Sequence, residues 1–354
     1  DAEGSGVVEG ASRHCVARRV NLTMPLRQEG LVMTRLYMTL VVGLIATSVV
    51  GGQTQDEIAR GRIGVGWGLP TGYIPQGDWK VQIPFQIFDN VYFVGNEVVS
   101  AYLISTSDGL VLIDTTNALM VNRTLDNIRQ LGFDPKDIKY VFITESHEIH
   151  YGGAAEIKAA TGATICMSAA DWDFLEQAAA RADQPEYDWT TEVAPPRDHE
   201  IQDGEVITVG DAMFTLYITP GHTPGTSSFE YVAYDGDQRY RVLTPGGTGL
   251  TMTSEWTDEW IRGRERFKEL GPWDVVLGNH PANTPGHLFK MIFEGADRAK
   301  GEPHPVVQGS AAINDWLDTL LEVAREKAES PPHGHTRRPA PIMDQRLPYF
   351  LAPR

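Results

Sequence analysis

The chain is 354 residues long, 42% hydrophobic and 22% charged, with 30 basic against 47 acidic side chains and a formal charge of -17. That apolar content supports a large core, in one large domain or two ordinary ones, and 22 prolines with 35 glycines are too few for general disorder. The negative balance repels phosphate backbones, which sets nucleic acid aside as a partner.

Residues 1–32 show no periodic pattern and read as an unstructured upstream extension. From Met33, "MTRLYMTLVVGLIATSVVGGQTQDE" places Arg35 before an apolar run from Leu36 to Val50, then small and polar residues. That order is the n-, h- and c-region order of a secretory signal peptide over 33–52, and the run is short for a membrane span. Export to the periplasm or beyond is expected, with no stable membrane association after cleavage; an uncleaved anchor is the minority alternative. The folded domain is expected over 53–330, and the Pro/Arg-rich stretch 331–354 reads as a loose tail.

Within the domain, "FQIFDNVYFVGNEVVSAYLISTSDGLVLIDTT" predicts three β runs separated by turn residues. "NALMVNRTLDNIRQLGF" has apolar residues at helical spacing and ends at Gly132, a plausible C-cap. "IKYVFIT" is a nearly continuous apolar strand and "GGAAEIKAATG" the next helix; "ATICMSA" and "AADWDFLEQAAARAD" repeat the pair. After Asp198 the pattern is strand after strand to "RVLTPGG". A helix follows over "TSEWTDEWIRGRERFKEL", then the short strand "WDVVLG" and a last amphipathic helix, "AAINDWLDTLLEVAREKAES". Two half-sheets with helices outside them account for that order better than two separate domains.

The two cysteines, Cys15 and Cys166, are far apart and form no CxxC knuckle, so neither a disulfide framework nor a cysteine metal site is expected. Cys166 reads as a small buried side chain. Four of the ten histidines share one context, following an expected strand in a Gly-rich turn. They are His147 and His150 in "TESHEIHYGG", His222 in "ITPGHTPG" and His280 in "VLGNHPAN". The carboxyl ends of strands are where α/β folds gather their ligand groups, and imidazole suits zinc and similar metals. No G-x-S-x-G elbow offers a rival nucleophile. His199, His287, His304, His333 and His335 lie in polar or Pro-rich stretches and read as solvated loop residues.

In these stretches the chain resembles the metallo-β-lactamase superfamily, from about Phe85 to the last helix near Lys327. The carriers are "GLVLIDTT", "VFITESHEIHYGGAAEI", "TPGHTPGTSSF" and "LGNHP", in the family's order. "LGNHP" is closest to the subclass whose metal ligands are histidines and one aspartate. The resemblance implies an α/β fold, the four-layer αββα sandwich, and one or two zinc ions. The family's H-x-H-x-D-H stretch lands on Glu145, Ser146, His147, Glu148, Ile149 and His150, in a frame fixed by "HYGG".

The first metal site would then be Glu145, His147 and His222. The second would be His150 and His280, with Ile149 standing where the family has its coordinating aspartate. Glu145 makes the first site one charge more negative and its bound water less acidic. Glu148 is a weak substitute at the second site, and Glu145 bridging two ions is another way to complete it. Asp114 matches a position that supports the site from behind the ligands. Thr248 is the only side chain where the family places a bridging or water-holding Asp, Ser or Cys. The absence of a carboxylate there favours the lactamase-like branch over the glyoxalase and lactonase branches.

The expected function is an exported metal-dependent hydrolase of a small cyclic amide or ester, a β-lactam or a lactone. A metal-bound hydroxide would attack the carbonyl, with Glu145, His147 and His150 as catalytic residues. The double replacement at Glu145 and Ile149 leaves two alternatives: a lyase or isomerase on the same scaffold, or a binding protein that has lost catalysis. Trp172, Tyr187 and Trp189 are candidates for a substrate pocket, with a surface or core role as the equal alternative.

Overall fold

Runs of aliphatic and aromatic residues divide this chain into two β-sheets, each with one face against the other sheet and one against helices. The computed structural model describes residues 84–179, 194–249, 254–294 and 302–329, all within one compact unit, Asp56–Arg354. The expected extension, signal segment and tail lie outside the described residues, as do Tyr187, Trp189, His333 and His335. No described helix is long and apolar enough to cross a membrane.

The first sheet has seven strands in the order of the chain: β1 (Phe85–Phe88), β2 (Val91–Phe93), β3 (Tyr102–Thr106), β4 (Gly109–Ile113), β5 (Ile138–Phe142), β6 (Thr164–Ser168) and β7 (His199–Ile201). Its first four strands pair antiparallel and β4 to β7 pair parallel. "GLVLI" of β4 is buried at every position after the first, as a strand covered on both faces must be. Its helices are α1 (Val121–Gln130), α2 (Glu148–Tyr151), α3 (Ala154–Thr161) and α4 (Ala169–Ala179). The second sheet holds β8 (Glu205–Val209), β9 (Ala212–Ile218), β10 (Ser227–Asp235), β11 (Gln238–Thr244) and β12 (Val275–Val276), with β12 outermost beside β11 and parallel to it. Around it lie α5 (Ser254–Leu270) and α7 (Ser310–Glu329), while α6 (Leu288–Glu294) sets Leu288 and Phe289 into the core between the sheets.

Three apolar clusters define the layers. Between the sheets, Phe93, Tyr102 and Phe142 meet Phe214, Phe229 and Tyr231, and the Phe142 and Phe214 rings pack edge to face at 5.4 Å. Outside the first sheet, Leu103, Leu112, Val141 and Ile165 pack on Val121, Leu125, Ile157 and Trp172. Outside the second, Tyr217, Leu243 and Val276 pack on Trp260, Phe267, Trp316 and Leu320. Each large side chain buried this completely stabilises the fold by roughly 1.5–3 kcal/mol. The result is the expected αββα sandwich.

Several local expectations need correction. The first β stretch holds four strands, not three, because the Asp89–Asn90 turn folds β1 back on β2 with an irregular register. Helix α6 was not predicted, since seven residues are too few to establish a helical period. His287 and His304 are buried rather than solvated, with His304 stacked on Phe88 at 4.2 Å. Their polar neighbours in sequence concealed the inter-sheet core, whose Phe88 and Phe289 they pack against. His199 lies in β7 and pairs with Glu205 at 2.8 Å. Of the two readings open for Trp172, the core role holds: it is buried in α4 against the first sheet.

Candidate metal centre

The turns after β5, β9 and β12 meet at one end of the sandwich, and backbone hydrogen bonds stitch the two sheets together there. Ser227 N, at the start of β10, donates to Thr144 O at 2.7 Å, and Ser100 N donates to Asn279 O at 3.0 Å. These contacts bring Glu145, His147, His150, His222 and His280 into one cluster. Glu145, His150, His222 and His280 are buried, and His147 alone is partly exposed.

Glu145 stands in the middle of that cluster. Its Oε2 lies 2.5 Å from His147 Nδ1 and 2.9 Å from His222 Nε2, while its Oε1 lies 3.3 Å from His150 Nε2. The donor atoms form two groups, Glu145 with His147 and His222, and Glu145 with His150 and His280, each spanning no more than 4.8 Å. Glu145 therefore belongs to both groups, the alternative in which it bridges two sites. The Asn279 side chain donates from Nδ2 to Oε1 at 2.7 Å and holds the carboxylate in place.

Each of the three most buried imidazoles is oriented from behind. His150 Nδ1 donates to Asp114 Oδ2 at 2.8 Å, His222 Nδ1 to Gly249 O at 2.7 Å, and His280 Nδ1 to Val98 O at 2.6 Å. An imidazole that donates from Nδ1 leaves its Nε2 lone pair for a ligand, the arrangement typical of metal-binding histidine. His150 Nε2 is buried and makes no hydrogen bond.

Charge follows the same geometry. Burial pushes the Glu145 carboxyl up, but His222, His150 and His147 outweigh it and hold the carboxyl well below its usual range. For His147 and His150, burial works downward and the Glu145 charge overrides it, so both are raised. Burial prevails at His222, which is lowered, and at His280, which falls to about 3. A carboxylate among four imidazoles is a donor set that suits a divalent cation such as zinc. The residues present fit the metal that the resemblance implies.

Of the weaker candidates, Asp114 is fully buried and accepts Thr144 N and Thr144 Oγ1, each at 2.8 Å, besides His150. Glu148 begins α2 and belongs to neither donor group. Thr248 is buried against Asn283 Nδ2, which donates to its hydroxyl. Ile149 is partly buried and offers no donor. Cys166 sits in β6 in the inter-sheet core, where burial pushes its thiol up.

Sequence reasoning missed three supporting residues. Asn279 precedes His280 in "LGNHP", so the same motif carried it. Asp171, at the start of α4, accepts Gly225 N and Thr223 Oγ1 at 2.8 Å each and anchors the "PGHTPG" turn. Burial raises its pKa to about 6. Arg264 is buried under the turn after β11, stacks on Trp260 at 4.0 Å and donates to the carbonyls of Gly246 and Gly247. Its place on the apolar spacing Trp260, Arg264, Phe267 was the available signal.

The family model described as the metallo-beta-lactamase superfamily matches residues 94–236. A hydroxyacylglutathione hydrolase of Cereibacter sphaeroides is 29% identical over 183 residues, covering 47% of this chain and 62% of that protein. The chain thus spans less than two thirds of that relative. A hydroxyacylglutathione hydrolase of Maricaulis maris is 30% identical over 225 residues, covering 58% of this chain and 76% of that protein. Among solved structures, a subclass B3 metallo-β-lactamase of Bradyrhizobium japonicum superposes with a TM-score of 0.61 at 30% identity, over 70% of this chain and 93% of that one. The relatives similar in sequence and the neighbour similar in structure are hydrolases with different named substrates, and what they share is the scaffold: the chain belongs to the metallo-β-lactamase superfamily.

Proposed function

We propose that this protein is an exported zinc-dependent hydrolase that opens a small cyclic amide or ester, of β-lactam or lactone type. The observation that carries the reading is the placement of two histidine pairs around the two oxygens of one buried carboxylate, Glu145. A divalent cation there supplies Lewis acidity toward a carbonyl oxygen and makes water a competent nucleophile near neutral pH. The chain's own residues prepare for that role. Asp114 and the carbonyls of Gly249 and Val98 orient three imidazoles through their Nδ1 atoms, and Asn279 fixes the carboxylate. Preorganisation of this kind costs nothing at the moment of reaction. The B3 β-lactamase neighbour supports a ring amide. The hydroxyacylglutathione hydrolase relatives favour a second reading, an acyl-glutathione thioester, for the same machinery.

The test is turnover by zinc-loaded protein of three probes: a chromogenic cephalosporin, an acyl lactone and a hydroxyacyl-glutathione thioester. Hydrolysis of a ring substrate, reduced at least a thousand-fold by His222→Ala, is expected. Thioester turnover alone would move the assignment to the second reading, and no turnover of any probe would refute a hydrolase of this class. Export is checked separately, by fractionation of the producing cell and N-terminal sequencing of the mature chain.

A further inference from the structure

We infer that Glu145 is a bridging ligand for two divalent cations, so that one carboxylate completes both metal sites. The inference rests on the proposed metal centre and goes beyond it in the number of ions and the ligand they share.

Three observations carry it. First, the two carboxylate oxygens face different histidine pairs: Oε2 faces His147 and His222, and Oε1 faces His150, with His280 completing that group. The second oxygen lies 3.3 Å from the buried His150 Nε2, within reach of a cation held between them. Second, the His150 and His280 rings stand perpendicular with centroids 4.9 Å apart, and the His147 and His222 rings are paired at 4.8 Å. Each oxygen thus meets two converging imidazoles, a set of three protein donors that leaves a cation an open position. Third, Asn279 donates to Oε1 and to Thr144 Oγ1, which limits rotation of the carboxylate and keeps its oxygens assigned to opposite pairs.

Ile149 then has an explanation. The sequence alignment to the family motif leaves the second site without its aspartate, and the structure supplies that missing donor from Glu145, four residues earlier. The carboxylate has moved rather than been lost. The centre keeps one negative protein ligand in total, which removes the expectation of an extra charge at the first site.

Metal content decides the matter independently of activity. Full-length protein stripped with chelator and reloaded with zinc is expected to hold two equivalents. Glu145→His gives the first site three imidazoles but leaves the second with only His150 and His280, so it is expected to hold one. A Glu145→His variant that still holds two, or a wild type that holds one, overturns the bridge. If Glu145→His does not fold, cobalt(II)-loaded wild type gives the answer. An EPR signal that weakens as the second equivalent binds is expected from a bridged, spin-coupled pair, and two signals that simply add overturn it. The hydrolase reading fails separately: two bridged ions without turnover refute the hydrolase and leave the bridge, whereas turnover with one ion does the reverse.

Discussion

Asp114 Oδ2 and His150 Nδ1 lie 2.8 Å apart, both side chains wholly buried, and this contact determines which nitrogen His150 presents to the metal centre. Asp114 sits in the left-handed region at φ 57, a conformation that costs a non-glycine residue about 1–2 kcal/mol. Its bonds from Thr144 N, Thr144 Oγ1 and His150 hold it there. Asp114→Asn tolerates the backbone but weakens the hold on the imidazole. Metal affinity is expected to fall roughly 10–100-fold, read by competition with a chromophoric chelator, with the circular dichroism spectrum unchanged. An unchanged affinity would remove Asp114 from the site's support.

The turn after β11 positions His222 in a comparable way. Gly247 has φ +54, and a Cβ there would lie 2.3 Å from His222 Cβ. Gly247→Ala therefore combines a left-handed alanine with a clash against the imidazole. It is expected to cost about 1–3 kcal/mol of stability and to displace His222, lowering bound zinc below the wild-type level. Arg264→Lys acts on the same turn from below, because an ammonium cannot reproduce the planar donor that reaches both carbonyls while stacking on Trp260. It should lower metal affinity more than it lowers the melting temperature.

These supports mark where the sequence could be read and where it could not. Alternating and continuous apolar runs, helices of clear period and short Gly-rich turns made the two half-sheets legible, since burial on one or both faces imposes those patterns. His147, His150, His222 and His280 were legible because each follows a strand, and the structure brings all four together with Glu145. The place of Glu145 between both groups was legible only as one alternative, since motif alignment assigns a residue to one position and cannot tell which way each oxygen faces. Asp171 also escaped notice because it reaches the site turn from a helix distant in sequence, and Arg264 because a charged side chain on an apolar helix face does not announce which carbonyls it meets. Thr248 matched a functional position by alignment, yet its hydroxyl is engaged by Asn283.

Away from the site, Glu230 ties three strands of the second sheet together, and its partner Arg241 donates to Leu270 O at the end of α5. It accepts two hydrogen bonds from Arg241, at 2.5 and 2.9 Å, and one from the Tyr217 hydroxyl at 2.6 Å. Arg241 in turn stacks on Trp273 at 4.2 Å. Burial pushes the Glu230 carboxyl up, but Arg241 and Tyr217 outweigh it, and the folded pKa lies below its ordinary value of 4.5. A carboxyl depressed by folding stabilises the protein fully above its unfolded pKa, and that stability is lost as pH falls through the folded value. Glu230→Gln is expected to cost about 1–2 kcal/mol at pH 7 and to flatten the decline in stability below pH 4.5, measured by denaturant titration. An acid limb identical to wild type would show that the pair contributes nothing to it.

The moved carboxylate makes a stronger demand on a double variant. Glu145→His alone is expected to reduce two bound ions to one, because the second site loses its only carboxylate. Ile149 occupies the position of the family's coordinating aspartate and is partly buried in α2, next to His150. Adding Ile149→Asp to Glu145→His returns one carboxylate to the centre without changing its net charge. The metal count is therefore expected to run from two in the wild type to one in the single variant and back to two in the double. Zinc analysis of the three proteins at equal concentration checks this series. A double variant that remains at one ion would mean that residue 149 cannot reach the second site from this turn. In that case the two replacements would be independent changes, not one carboxylate transposed.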